Sequence, residues 1–198
     1  MGLDFDCISG QTPLDEEEKE ALLIPTIATR GELDEYEQQN IEEAIQWLLA
    51  RNFKTDILLT EQIIKEVHKR MFGKVWRWSG EIRKKEKNIG IDKHRISEQL
   101  KNLLDDTAYH IANRAFPPDE IAVRFKHRLV SIHCFPNGNG RHSRLMADIL
   151  IDKIFHQPVF TWGAGIPARQ GDARTAYLAA IRTADAGDIK PLLAFARS

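Results

Sequence analysis

The sequence predicts an all-α protein of about seven or eight helices with one short β-hairpin. Apolar residues recur at steps of three and four along most of the chain, which is the spacing of one face of an amphipathic helix. Capping residues open several of these segments, and Gly or Pro ends them. Only residues 81–92, with apolar positions around a polar, Lys-rich middle, favour a hairpin, and no strong turn dipeptide supports it.

The first helix is expected after Thr29, because Thr29 and Glu32 have the spacing of a capping box. A second helix is expected to begin at Thr60 and to end at Phe72-Gly73. The first helix carries a mostly apolar stripe over five turns, formed by Leu33, Tyr36, Glu37, Asn40, Ile41, Ala44, Ile45 and Leu48.

Ser97 is expected to cap the next helix. Pro118 then suits the first position of another helix, with Asp119 favoured near its positive end. This helix is expected to be strongly buried and to end at His133. Its apolar side chains recur at steps of four, four and three, and they are Ile121, Phe125, Leu129 and Ile132. Three further helices are expected, over about 141–154, Asp172–Ala186 and Asp188–Arg197.

The composition is typical of a soluble globular protein, since 42% of the 198 residues are hydrophobic and 29% are charged. No apolar run approaches the roughly 18 residues of a membrane span. The acidic N-terminus lacks the basic and apolar regions of a signal peptide. Cys7 and Cys134 do not make a disulfide framework. These observations predict a cytoplasmic protein without a membrane partner.

The charge is distributed unevenly, although the net charge is only −1. Residues 1–50 contain thirteen acidic and two basic side chains, so residues 51–198 carry a net charge of +10. Two interpretations stay open: a solvated acidic helix, or an acidic arm packed over a basic core. We therefore divide the chain into residues 1–54, an acidic arm and helix with a candidate regulatory role, and residues 55–198, the core.

The stretch from His133 to Arg144 combines the groups that phosphate chemistry needs. Gly138 and Gly140 allow positive φ angles, at which successive amide groups form a concave anion site. A helix expected from about Arg141 would add free N–H groups and its dipole. Arg141 and Arg144 share a helix face and suit bidentate phosphate binding. His133 can accept a proton from a hydroxyl, so the motif predicts phosphoryl or nucleotidyl transfer.

This motif resembles the signature of the Fic/Doc family, His-x-Phe-x-(Asp/Glu)-Gly-Asn-Gly-Arg-x-x-Arg. Residues 78–90 are similar to the family's flap hairpin, and residues 177–195 to its C-terminal helices. The resemblance implies a Fic-type helical bundle, with the catalytic core in residues 55–198. It is closest to the group called mobile mystery protein B, which implies a helix-turn-helix partner protein. The matching residues are His133, Phe135, Gly138, Asn139, Gly140, Arg141 and Arg144.

The resemblance implies transfer of AMP from ATP to a Ser, Thr or Tyr hydroxyl of a target protein. His133 would then be the general base. The amides of Gly138–Gly140 and the Asn139 side chain would hold the α- and β-phosphates, and Arg141 and Arg144 the β- and γ-phosphates. A flap hairpin would bind the target by strand addition, through Ile82, Arg83, Asn88, Ile89 and Gly90.

Asn137 departs from the signature, which has Asp or Glu at this position as a Mg²⁺ ligand. Asn137 keeps a carbonyl oxygen, which hard cations accept as a ligand, but it lacks the negative charge. We therefore expect weaker, nucleotide-dependent Mg²⁺ binding rather than a different reaction. Cys134 stands where the family commonly has proline and is interpreted as a small buried residue.

Many members of the family are inhibited by a glutamate in a (Ser/Thr)-x-x-x-Glu-(Gly/Asn) helix that pairs with the second motif arginine. The strict motif is absent, and Thr12-x-x-x-Glu16 matches it only in part. The acidic arm could still supply a carboxylate to Arg144 from Glu16, Glu32 or Glu35. Simple packing of residues 1–50 on the core is an equally good interpretation.

Other functions stay open on sequence grounds. The same fold could catalyse another phosphate transfer or AMP removal, or could serve as a catalytically weak regulatory or binding module. A toxin-like role and a homo-oligomer are further expectations from the family. An aromatic loop with Trp76 and Trp78 favours nucleic-acid binding only weakly, because no nucleic-acid motif accompanies it. A metal hydrolase would have to use His127, His133, Cys134 and His142, which lack metal-ligand spacing.

Overall fold

The computed structural model describes residues 19–164 and 172–198. Within these residues all regular structure is helical, which confirms the predicted all-α fold class. None of these helices is both long and apolar enough to cross a bilayer. They are α1 (Arg30–Leu49), α2 (Thr55–Leu58), α3 (Glu61–Phe72), a 3₁₀ turn (Lys93–Arg95), α4 (Ile96–Asn113), α5 (Pro118–Ile132), α6 (Asn139–Lys153), α7 (Asp172–Asp185) and α8 (Lys190–Arg197).

Helices α5 and α6 lie at the centre of the bundle and are joined by the short turn that carries the motif. Helix α5 packs against α4, α6 and α8, and α3 packs against α1, α4 and α6. Each central helix buries an apolar face, and burying one large aliphatic or aromatic side chain contributes about 1.5–3 kcal/mol. Buried members from five helices are Ile64, Leu100, Phe125, Met146 and Leu192.

Local capping explains where several helices begin. The Thr29 side chain and the Glu32 side chain form the expected capping box at α1. The Thr60 hydroxyl accepts from the Ile63 amide at the start of α3, and Pro118 occupies the first turn of α5. Of the predicted stripe on α1, Tyr36 is exposed, so the buried face is narrower than expected.

The prediction that Ser97 caps α4 is wrong, because α4 begins at Ile96, one residue before Ser97. Asp92 accepts a hydrogen bond from the His94 amide at 2.8 Å and opens a 3₁₀ turn over Lys93–Arg95. This turn continues directly into α4 at Ile96, so Ser97 lies inside the first turn of the helix.

At the C-terminal end, α7 ends at Asp185, and Gly187 follows at a φ of 101°, as expected of a residue that stops a helix. Helix α8 begins at Lys190 rather than Asp188, because the Asp188 carboxylate accepts from the Lys190 amide at 3.0 Å. The expected loop over 157–171 lies partly outside the described residues.

The short hairpin expected over residues 81–92 is not formed: this segment is an irregular loop without strands. Its two arms are joined by one buried side chain instead of a ladder of backbone hydrogen bonds. The Arg83 guanidinium donates to the Lys85 carbonyl at 2.9 Å and to the Ile91 carbonyl. The Arg83 side chain thus satisfies carbonyl groups on both arms, and its hydrogen bonds take the place of the backbone pairing of a hairpin.

The chain before α1 docks mainly through its backbone. Leu22 forms an isolated antiparallel bridge with Trp76, and the Leu23 amide donates to the Val75 carbonyl at 2.8 Å. Leu22 and Ile24 pack against the core, whereas the Leu23 side chain is 42% exposed. Leu22 and Ile24 therefore add apolar contacts to this backbone docking. The division at residue 54 stays a prediction, since α1 packs against α3.

Candidate functional site

The motif forms the turn between α5 and α6. His133 follows the last residue of α5 in the left-handed conformation, with φ 57° and ψ 62°, as expected for a residue that ends a helix and redirects the chain. Helix α6 begins at Asn139, two residues before the expected start at Arg141. The imidazole of His133 and the N-terminus of α6 are thus separated by only five residues of turn.

Asn139 holds this turn in shape. Its carbonyl oxygen accepts from the Phe135 amide at 3.0 Å, and its NH₂ group donates to the Phe135 carbonyl at 2.8 Å. Asn139 and Phe135 are both buried. The Asn139 side chain is therefore engaged within the loop, and its expected contact with a phosphate stays a prediction.

The two motif glycines have different roles. Gly138 has a φ of 77°, and a Cβ there would lie 2.5 Å from the Phe72 ring, so only glycine fits. Gly140, in contrast, lies inside α6 and does not have the positive φ expected of it. A Cβ at Gly140 would meet nothing within 4 Å. The space beside the first turn of α6 is therefore open to a ligand, and the first amides of a helix lack partners within it.

His68 on α3 supports the turn from outside, and no motif in the sequence points to it. Its Nδ1 accepts from the Gly80 amide at 3.0 Å, so the proton lies on Nε2, which donates to the Asn137 carbonyl at 3.0 Å. The ring stacks on Phe135 with centroids 3.7 Å apart. Only the periodicity of α3, which places His68 beside the buried Val67 and Met71, could have indicated that it is buried.

Arg141 is held by Glu37, which was expected on the stripe of α1 but not as a partner of the motif. The Glu37 carboxylate lies 2.6 Å from an Arg141 guanidinium nitrogen, and its other oxygen accepts from the Trp76 indole at 2.6 Å. Glu37 is 4% exposed. The Arg141 guanidinium also lies over the Phe72 ring, 4.8 Å from its centroid.

The carboxylates that were expected to pair with Arg144 are placed elsewhere. Glu32 accepts from the amides of Ala28 and Thr29 at the start of α1, and Glu35 is exposed. Glu16 and Thr12 lie outside the described residues. The acidic residues 1–54 do contact the motif, but the contact is made by Glu37 of α1 and its partner is Arg141.

Arg144 lies deeper than Arg141. Its Nε donates to the Gly140 carbonyl at 3.4 Å, and its guanidinium lies 5.5 Å from the Tyr177 ring centroid. Burial lowers the pKa of Arg144 below its usual 12.5, and the Arg141 charge adds to this. A group that is buried and positively charged gains from a bound anion, as a phosphate site requires.

His133 is 4% exposed and is covered by the loop of residues 83–91, hereafter the covering loop. A Cβ at Gly90, whose φ is 97°, would lie 2.5 Å from the His133 Cβ, so only glycine allows this approach. Burial lowers the pKa of His133 to about 4, with smaller contributions from the charges of Arg83 and Lys87. The imidazole is therefore neutral at neutral pH and able to accept a proton.

Four of the five expected target-docking residues lie in the covering loop, Ile82 directly precedes it, and the five differ in exposure. Arg83 is buried, and Ile82 is partly buried against the core. Asn88, Ile89 and Gly90 are exposed. The exposed three stay candidates for contact with a target, although no strand is present to extend.

Asn137 offers a single neutral oxygen to a metal. That oxygen already accepts from the Gly138 amide at 2.6 Å. The described residues contain no group of three or more His, Cys, Asp or Glu side chains that could hold a metal ion. The residues present therefore fit Mg²⁺ only as a minor part of its coordination, with most oxygens left to the nucleotide and to water.

The competing interpretations receive no support from the same geometry. His127 contacts Asp185 at 2.8 Å, away from the other candidate metal ligands. Burial raises the pKa of the Cys134 thiol to about 12, so Cys134 is an inert buried residue as expected. Trp76 and Trp78 stack on each other inside the core and are not available to nucleic acid.

Residues 58–151 match the model of the Fic/DOC family, and this segment includes the complete turn and both arginines. Residues 58–151 therefore form a Fic/DOC segment, as the motif indicated. Protein adenylyltransferase Fic of Aedes aegypti is 26% identical over 181 residues, which cover 88% of this chain and 35% of that protein. Protein adenylyltransferase Fic of Drosophila virilis is 36% identical over 78 residues, covering 39% of this chain and 14% of the relative. The chain thus spans about a third or less of these relatives.

Solved Fic structures share the fold. A fragment of Fic-1 from C. elegans superposes with a TM-score of 0.66 at 22% identity, covering 90% of this chain and 51% of the fragment. BepC from Bartonella tribocorum, solved with bound AMPPNP, has a TM-score of 0.68 at 18% identity, covering 92% of this chain and 97% of that one. The Fic-type helical bundle expected from the motif is therefore confirmed.

The buried histidines predict a loss of stability in acid. Burial lowers the pKa of His142 to about 3 and of His133 to about 4, and it holds that of His68 well below 6.5. Below pH 6.5 the unfolded chain binds these protons and the folded chain does not. The free energy of unfolding should therefore decrease as the pH is lowered below 6.5, by about 1.4 kcal/mol per pH unit for each histidine. Asp148 opposes this trend, because burial raises its pKa to about 7.

Urea unfolding of the parent and of a His133→Asn variant between pH 5 and pH 6.5 measures this effect. The variant should lose less stability on acidification, by about 1.4 kcal/mol per pH unit, because one titrating group is gone. His94→Asn, at an exposed position, is the control and should keep the parental pH dependence. Equal slopes for all three proteins would contradict the prediction.

Proposed function

We propose that this protein is a protein adenylyltransferase, which transfers AMP from ATP to a Ser, Thr or Tyr hydroxyl of a target protein. The observation that carries the proposal is the turn between α5 and α6. This turn and the start of α6 bring a neutral imidazole, the open first turn of a helix and two arginines together in one stretch of twelve residues, which lies inside the Fic/DOC segment. Relatives that match this chain are named protein adenylyltransferases.

In the proposed reaction the target hydroxyl oxygen attacks the α-phosphorus of ATP. The bond from this phosphorus to the bridging oxygen breaks, and pyrophosphate leaves with the electron pair. The hydroxyl proton passes to the imidazole of His133, which is neutral because its pKa is lowered to about 4. The left-handed backbone of His133 holds the imidazole in place before substrates arrive, which reduces the entropic cost of the step.

The phosphates are proposed to lie at the N-terminus of α6. There the helix dipole and the first amide groups favour an anion, and the open space beside Gly140 admits one. Arg141 and Arg144 would bind the β- and γ-phosphates and stabilise the charge that develops on the leaving group. Arg141 must exchange its contact with Glu37 for a phosphate to do so.

Mg²⁺ is proposed as the cofactor, bound chiefly by the nucleotide, with Asn137 as the protein ligand. When bound it would neutralise phosphate charge. Asn137 would contribute one oxygen without charge, so metal affinity should depend on the nucleotide more than on the protein.

The wider role is proposed from family resemblance alone. A toxin-like modifier in the cytoplasm, a helix-turn-helix partner protein and a homo-oligomer are the roles that this resemblance implies. The alternatives are another phosphate transfer, AMP removal and a catalytically weak binding module. The following experiment separates AMP transfer from all three, because the first would transfer a different phosphate and the other two would transfer no label.

Incubation with Mg²⁺ and ATP labelled at the α- or the γ-phosphate tests the reaction. Transfer of label to protein from the α-position only is expected, because AMP retains this phosphorus and pyrophosphate carries away the others. His133→Ala should reduce labelling by about 10²- to 10⁴-fold, as loss of a general base does. Label from the γ-position would indicate a kinase. Labelling by His133→Ala at the parental rate would exclude His133 as the base.

Asn137→Asp should strengthen metal binding at the site. The new carboxylate can still accept from the Gly138 amide and adds the negative charge that Mg²⁺ prefers. The Mg²⁺ concentration for half-maximal labelling should fall by about tenfold, which corresponds to about 1.4 kcal/mol. Asn137→Ser is the matched control and should not lower it. An unchanged metal dependence in Asn137→Asp would place the metal away from this position.

Glu37→Gln should increase the apparent affinity for ATP. Glutamine can keep the hydrogen bond with the Trp76 indole but loses the charge that holds Arg141. Arg141 would no longer have to give up this ion pair to bind phosphate, so the KM for ATP should fall by about tenfold, which corresponds to about 1.4 kcal/mol. Glu35→Gln, on the exposed side of the same helix, is the control. A KM that rises in Glu37→Gln would show that Glu37 holds Arg141 in its productive position.

A further inference from the structure

Arg83 is a buried cation whose bonds go to backbone carbonyls around the base. Its Nε donates to the His133 carbonyl at 2.7 Å, and its two terminal nitrogens donate to the carbonyls of Lys85, at 2.9 Å, and Ile91. Its own amide donates to the Cys134 carbonyl at 2.9 Å. One residue therefore joins both arms of the covering loop to the backbone of His133.

These bonds use the planar fork of the guanidinium. Three donors must point in different directions within one plane to reach three carbonyls, which an ammonium group on a flexible stem does not reproduce. The charge makes each bond stronger than a neutral one. Since the Arg83 side chain is only 1% exposed, breaking the set would leave buried carbonyls without donors.

The contacts have two consequences at His133. The bonded carbonyl helps to fix the left-handed backbone at the end of α5, an unusual conformation for a residue other than glycine. The bond to Ile91 holds the far arm of the loop, so that Gly90 lies against the His133 Cβ. Arg83 thus determines both where the imidazole is attached and what covers it.

We propose that Arg83 is a positioning residue for His133, which fixes the backbone of the base and holds the covering loop across it. This assignment rests on the proposed role of His133 in AMP transfer. It differs from the docking role that family resemblance implies for Arg83, because the guanidinium is directed inward to the chain's own carbonyls and not to a target. Exposed Asn88 and Ile89 are left as the parts of the loop that face a target.

The charges around the base allow position and charge to be tested separately. After burial, Arg83 and Lys87 are the cations that lower the pKa of His133, and the carboxylate of Glu86 lies 3.6 Å from the Arg83 guanidinium. Arg83→Lys keeps the charge but loses the planar fork. Arg83→Met loses both. Lys84→Arg and Lys84→Met are matched controls at an adjacent side chain that is 87% exposed.

The first measurement is the rate at which diethyl pyrocarbonate modifies His133, followed by mass spectrometry at pH 7. This readout requires no ATP and no catalysis. Both Arg83 variants should accelerate modification at His133 by about tenfold or more, because the covering loop opens locally more often. Exposed His94 serves as the internal reference. An unchanged His133 rate in folded Arg83→Lys overturns the proposal, and this variant decides the matter if Arg83→Met does not fold.

The second measurement is self-labelling from α-labelled ATP as a function of pH. Both Arg83 variants should lower the maximal rate by about 10- to 100-fold, as displacement of a catalytic group does, with the KM for ATP within about twofold of the parent. The acidic limb of the profile should move to higher pH in both variants, because an opened loop lessens the burial of His133, and it should move further in Arg83→Met, which also loses the positive charge. A rise in KM without a fall in rate, or identical limbs in the two variants, overturns the proposal. Accelerated modification together with unchanged labelling would refute His133 as the base and not the covering contact.

Discussion

The reciprocal hydrogen bonds between the Asn139 side chain and the Phe135 peptide are the interaction on which the site depends. They close the turn between α5 and α6 from within, so that the chain leaves one buried helix and enters the next over five residues. His133 is held on one side of this turn, and the first turn of α6 lies on the other. Because both helices are buried in the bundle, the separation between His133 and the first turn of α6 is as rigid as the core itself.

Side chains from elsewhere in the fold keep this turn dry and closed. His68 and Phe72 of α3 pack beneath it, and burial keeps the His68 imidazole neutral. Arg83 closes the covering loop over His133, and Glu37 occupies Arg141. Burial lowers the local dielectric constant and so strengthens the interaction of each arginine with an incoming phosphate. In the proposed reaction, substrates would have to displace existing contacts at both ends of the site.

The sequence patterns predicted features that depend on near neighbours. The caps at Thr29 and Thr60, the proline at the start of α5 and the end of α5 at His133 all involve contacts within about four residues. Ser97 was wrongly expected to cap α4, because Asp92, five residues earlier, starts the 3₁₀ turn that leads into this helix. The hairpin was wrongly expected because apolar spacing does not reveal that one arginine satisfies the carbonyls of both arms.

Local sequence patterns were sufficient to predict the helical class, the position of the motif and its resemblance to the Fic/DOC signature, since residue order encodes local backbone preference directly. Which side chains hold the turn could be seen only in the folded structure. Glu37 meets Arg141 across more than a hundred residues, and His68 reaches the Asn137 carbonyl from another helix. Such pairs are set by which faces pack together, because a buried polar group must find a partner wherever the fold places one.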